Sequence, residues 1–115
     1  MVKTKNYLPI LGKEDVTTDF YNLLYHTPKR TLSNQGIYRL GTEHSELGVG
    51  QQICVCIAKG SNGAGIILRN TSSSNLTPVE ITGTESSADR VKSALEKLAR
   101  SEDSEFVNFK LKELK

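Results

Sequence analysis

For most of its length the chain sets short apolar runs between polar or glycine-rich segments, and the spacing changes only near its end. Ile53, Val55 and Ile57 alternate with Cys54, Cys56 and Ala58. A strand is predicted there, apolar on both faces and therefore central in a sheet. Gly36-Ile37-Tyr38-Arg39-Leu40 before it, and Ile66-Ile67-Leu68 and Val79-Glu80-Ile81-Thr82 after it, read as further strands with tight polar connections. That succession predicts an antiparallel meander. From Ala88 the period becomes helical: Ala88, Val91, Leu95 and Leu98 are spaced three, four and three, one stripe of a helix over 86–100. Ser86, with Asp89 three residues on, resembles a capping box at its start.

The ends are less regular. Residues 1–19 read as an arm with one apolar cluster, Tyr7, Leu8, Ile10 and Leu11, which Pro9 and Gly12 interrupt, so no regular element is expected there. The main domain is placed at 20–100, beginning with Phe20–Tyr25, a strand or a short helix, and the polar bend Thr27–Thr31. Asn70 to Pro78 is a Ser/Asn-rich loop. The tail, 101–115, alternates through Phe106–Lys112 well enough for a strand but equally extends the helix. The fold expected is α+β: a small antiparallel meander or barrel closed by one C-terminal amphipathic helix.

Gly60-Ser61-Asn62-Gly63-Ala64-Gly65 is the one segment that resembles a phosphate loop. A phosphate loop ends in Gly-Lys-Ser/Thr and opens a helix, whereas β-type residues follow Gly65; a hairpin turn using glycine's positive φ is the better reading. Cys54 and Cys56 with His26 and His44 supply four zinc-ligand types. In a strand, however, C-x-C lacks the turn that brings two thiolates to one metal, so small core residues are expected and neither metal nor cofactor. No Gly-x-Ser-x-Gly elbow accompanies the two histidines, and no enzyme is expected.

The 115 residues fit one domain, and 15 Lys+Arg against 13 Asp+Glu leave a net charge of only +2. That balance does not advertise a nucleic-acid binder, although a local patch can hide in it. The N-terminus lacks an apolar leader, and no run approaches the ~20 residues that span a bilayer, so an intracellular protein (nucleus or cytoplasm) with free thiols and no membrane partner is expected. Thr27-Pro28-Lys29-Arg30 has the form of a proline-directed kinase site at Thr27, where phosphate would add roughly −1.5 to −2 charge beside two cations.

Gly36–Leu40, Gln52–Ile57 and Gly65–Asn70, followed by Val79–Leu98, resemble in order the strands and closing helix of a Ran-binding domain of the nucleoporin type. The resemblance implies a pleckstrin-homology-like barrel plugged by its helix. It also implies a protein-interaction module that binds a Ran-like GTPase or another nuclear-transport partner, with Lys59, Arg69 and Asn70 on the binding strand. Val79–Leu98 with Gly60-Ser61-Asn62-Gly63 is also similar to parts of a KH module, which implies RNA or single-stranded nucleic acid as ligand, met by Lys29, Arg30, Arg39, Lys59 and Arg69. A homodimer through an exposed edge strand is a further expectation.

Overall fold

The periodicities meet in one core. In the computed structural model residues 2–48, 51–71, 78–102 and 104–114 are described, with 43–48, 51–54, 70, 71 and 104 described by backbone alone. The elements run β1 (Lys3–Leu11), β2 (Glu14–Asp15), α1 (Thr17–His26), α2 (Lys29–Asn34), β3 (Ile37–Gly48), β4 (Gln51–Gly60), β5 (Gly65–Thr71), β6 (Val79–Gly83), α3 (Glu85–Glu102) and β7 (Phe109–Leu114), with a 3₁₀ turn at Ser104–Phe106. The fold is α+β, with a C-terminal helix and a seven-stranded sheet whose strand pairs are all antiparallel. As expected, β3 to β6 form a meander; β6 then pairs with β1. Asn6 and Tyr7 pair with both β6 and β7, so these strands flank β1 on opposite sides and β7 is an outer strand. The sheet stays open, with β3 at its other edge, and does not close into a barrel.

The N-terminal arm is instead part of the sheet. Pro9 fits within β1 because its carbonyl accepts a hydrogen bond from the Val16 amide. A strand residue points its nitrogen and carbonyl to the same side, and the Val16 carbonyl that its nitrogen would face accepts from the Phe20 amide instead, so no ladder bond is lost. The tail resolves as a strand, Phe109 and Leu111 pointing into the core. Phe20–Tyr25 is helical, with Phe20, Tyr21 and Leu24 on its buried face, and the expected bend contains the start of α2. The turn after β4 is a hairpin: the Gly60 amide donates to the Ala64 carbonyl at 2.8 Å, and Gly63 takes φ +92°. Most of the Ser/Asn-rich loop lies outside the described residues.

The α3 stripe is as predicted, and its inward residues are Ala88, Val91, Leu95, Leu98 and Ala99. The cap is not Ser86. Thr84 Oγ1 accepts from the Ser87 amide at 3.2 Å, and the Thr84 carbonyl takes the Ala88 amide. All three helices place side chains in the one core cluster, together with Tyr7, Ile37, Cys56, Ala58, Ile66, Leu68, Val79, Ile81, Phe109 and Leu111 of the strands. Phe109 stacks between Phe20 and Phe106, at centroid distances of 4.9 and 5.3 Å. Fully burying each Leu or Phe contributes about 1.5–3 kcal/mol, so this single layer supplies most of the fold's driving force.

Candidate functional site

Strand residues that alternate with the core positions point away from the helices. They are Tyr38 on β3, Val55, Ile57 and Lys59 on β4, Ile67 and Arg69 on β5, Glu80 and Thr82 on β6, Thr4, Asn6 and Leu8 on β1, and Lys110, Lys112 and Leu114 on β7. No described helix covers this face. The sequence expectation that β4 is buried on both sides holds only for its position between β3 and β5: Cys56 and Ala58 are buried, whereas Ile57 is 38% exposed. Ile57 sits opposite Gly41, which offers no side chain to cover it. Leu40 is 60% exposed at a bulge, the register skipping it between Arg39 and Gly41.

Polar groups on the face are ordered around this apolar centre. Tyr38 lies directly opposite Lys59. Arg69 Nη1 is 2.9 Å from Glu80 Oε1 across neighbouring strands, and the hydroxyls of Thr4 and Thr82, a directly opposed pair, are 2.8 Å apart. Lys110 and Lys112 are exposed and pair in register with Ile10 and Leu8. Of the charged side chains described on this face, Lys59, Arg69, Lys110 and Lys112 are positive; Glu80 is negative, and so at the β1 end is Asp15, which pairs in register with Ile10 and whose Oδ1 accepts from the Thr17 amide and hydroxyl. A near-neutral chain thus carries a locally basic surface.

The structure separates the residues singled out from the sequence. Lys59 and Arg69 share the open face; the Asn70 side chain lies outside the described residues. Lys29 and Arg30 are exposed at the start of α2, whose Leu32 anchors it in the helix-side core. Arg39 points toward the helices, where its Nη1 donates to the carbonyls of Leu24, Tyr25 and Thr27 at 2.8, 2.8 and 3.0 Å. The guanidinium is a cap on the C-terminal end of α1 and is already occupied. Thr27 is buried, its hydroxyl donating to the Leu23 carbonyl at 2.6 Å, so a kinase reaches it only after this helix end opens. His26 is exposed; the side chains of His44 and Cys54 lie outside the described residues. Burial pushes the Cys56 thiol up, against a smaller opposing pull from Arg39, and keeps it protonated and unreactive. Among the described residues no group of three His, Cys, Asp or Glu side chains could hold a metal ion.

The sequence reading missed Tyr38, Lys110 and Lys112. Alternation in Phe109-Lys110-Leu111-Lys112 carried a signal, but only the pairing of β7 with β1 brings those lysines to the same surface as Lys59 and Arg69. No described helix is long and apolar enough to cross a membrane. No protein-family model matches the chain, and no curated protein or solved structure matches it either.

Proposed function

We propose that this chain is a non-enzymatic nucleic-acid-binding module that lays its open sheet face on a duplex. The observation that carries the reading is the uncovered face itself, an apolar centre with four cations against two carboxylates, Glu80 paired with Arg69 and Asp15 hydrogen-bonded by Thr17. An apolar patch left exposed in a folded domain marks an interaction surface. The composition of the patch favours a groove over single strands. Single-stranded ligands are held by stacking on aromatic rings, and Tyr38 is the only described ring among the residues above. Aliphatic side chains such as Ile57, Ile67 and Leu8 instead suit packing against the floor and sugar edges of a minor groove, with lysine and arginine at the phosphates. Six strands at ~4.8 Å give a surface roughly 25 Å across, wide enough to follow a groove for about two-thirds of a turn.

Fluorescence anisotropy with a labelled duplex and with its isolated strand tests this. Duplex binding is expected to weaken with salt along a log–log slope of about −3 to −4, as four phosphate contacts require. Lys59→Glu with Lys112→Glu should make that slope shallower, whereas Lys29→Glu should leave it unchanged. Preference for the single strand, or no binding at low salt, would refute the reading.

A second reading has its own observation. Leu40, Tyr38 and Ile57 form an exposed apolar and aromatic group at one side of the sheet, the chemistry of a protein hot spot. On this reading the chain is a protein-interaction module of the pleckstrin-homology-like, Ran-binding kind, and Lys59 and Arg69 border the surface a small GTPase would use. The strand order β3 to β6 followed by α3 supports it. Capture of a GTP-loaded small GTPase, lost in Tyr38→Asp, would favour it over the duplex.

A further inference from the structure

On the opposite side of the molecule the C-terminal ends of two helices meet. Along α1, from Asp19 in its first turn to His26 at its end, and beside the last turn of α3 and the 3₁₀ turn lies a groove of about 510 Å³. Leu23 and Pro28 contribute apolar surface to it above the buried Phe106, and Asp19, Glu102, Glu105 and His26 are on its walls; none of the residues lining it is lysine or arginine. Neither Asp19 nor Glu102 forms an ion pair with a described residue.

The placement of Glu102 is electrostatically adverse. A helix ends in unsatisfied carbonyls carrying about half a negative charge, which favours cations there and disfavours a carboxylate. Glu102 is the final residue of α3, and α1 ends at His26 on the same groove. The basic side chain in the last turn of α3, Arg100, is turned away, its Nε donating to the Phe109 carbonyl at 2.9 Å. At α1 the negative end has drawn in a guanidinium from below, since Arg39 holds three of its terminal carbonyls. On the groove side none of the lining residues is a lysine or arginine. Local rules broken without compensation mark functional positions, and this one lacks positive charge over an apolar floor.

We infer that this groove docks a short arginine- or lysine-rich segment of a partner protein, its aliphatic stems on Leu23 and Pro28 and its cationic heads at Asp19 and Glu102. Long basic side chains meet both demands, because their methylene stems cover apolar surface while the charged end reaches the carboxylates. The inference does not depend on the duplex reading. Together the two would make the chain a bridge, nucleic acid on the sheet face and a basic tail on the helix face.

Anisotropy of a short fluorescein-labelled peptide of arginine, serine and leucine tests it, against the same peptide with glutamate for arginine. Saturable binding of the arginine peptide alone is expected, weakened about tenfold by Asp19→Asn with Glu102→Gln, two charge removals at a partly solvated site. Both side chains are exposed, so far-UV circular dichroism should be unchanged. Asp19→Lys, which reverses one charge, should weaken binding further. Duplex affinity should be unaffected in all three variants. Equal binding of the glutamate peptide, unchanged affinity in the double variant, or amide shifts confined to the sheet face would each overturn the proposal, as would the absence of saturable binding.

Discussion

Arg39 shows how one side chain from a strand can hold the carbonyls at a helix end that the local cap leaves open. Three carbonyls at the end of α1 face its Nη1, and Thr27 Oγ1 takes the Leu23 carbonyl beside them. Hydrogen bonds from a charged donor contribute about 1.5–3 kcal/mol each at most, and partial exposure discounts that. Arg39→Met, which keeps the stem and removes the donors, should therefore cost about 2 kcal/mol in urea denaturation; a loss below about 0.5 kcal/mol would mean water replaces the guanidinium freely. Two glycines give a sharper contrast. A Cβ on Gly60 would run into Val91 Cγ2 and Asn62 Oδ1. Val91 is stiff within α3, and Asn62 is held by its own bonds to the Ser87 carbonyl and the Ala64 amide. Gly60→Ala is expected to destabilise by about 1–3 kcal/mol, as overpacking does. Gly41 has open space around its Cβ position and no positive φ, so Gly41→Ala should be neutral or stabilising by up to about 1 kcal/mol. If the two variants melt together, the close packing of the β4–β5 hairpin on α3 is wrong.

At the scale of elements, β7 is an outer strand that does not offer a clean edge. Phe109 and Leu111 direct their outward backbone groups at α3, where Arg100 Nε binds the Phe109 carbonyl and Glu96 Oε2 accepts from the Leu111 amide at 2.9 Å. Side chains from a helix thus occupy the positions a second strand would use, one of the ways natural sheets block edge pairing. Glu96→Ala with Arg100→Ala frees both groups and should convert a monomer into a concentration-dependent associate in sedimentation velocity; unchanged sedimentation would show that the edge needs no cover. This also explains what the sequence could say about β7. Its alternation is visible, but whether 109–114 continues α3 or returns as a strand depends on the partner, and β1 lies about a hundred residues away in the chain. Pro9 misled for a related reason: proline weakens a strand only where its missing N–H leaves an acceptor unpaired, and the Val16 carbonyl beside it is taken by the Phe20 amide. The α3 stripe and the hairpin at Gly60–Ala64, which depend on neighbours in sequence, were legible throughout.

On the scale of the whole molecule, the helices lie on one side and the candidate ligand face on the other, an arrangement periodicity alone does not reveal. Ile57 and Cys56 are equally apolar neighbours, yet one is buried and the other lies in the open, because no helix returns to that side of the described structure. Two groups in the core, Cys56 and Tyr7, and one at the surface, Lys5, have an ionisation tied to folding. Burial raises the Cys56 thiol above its ordinary 9.0 and the Tyr7 phenol above its ordinary 10.0, while Lys5 is raised above 10.5 chiefly by Glu113, 3.6 Å away. A group whose pKa is higher in the folded chain gives its stability fully below the unfolded value and loses it as pH climbs through the folded one. For Cys56 and Tyr7 the unfolded chain releases a proton first and is favoured; for Lys5 the pairing is lost once its ammonium deprotonates. Urea unfolding free energy should therefore be flat from pH 7 to about 9 as regards these groups and then fall. The limit is about 1.4 kcal/mol per pH unit for each of the two buried groups, Cys56 and Tyr7. Cys56→Ala isolates the first part of the fall, since it removes that thiol and leaves Cys54, Tyr7 and Lys5 in place. The variant starts less stable by roughly 1 kcal/mol for lost packing, but its profile between pH 9 and 10 should be shallower than that of the parent chain. Parallel profiles would mean that the Cys56 thiol titrates alike in both states, and hence that the space between β4 and the helices admits water.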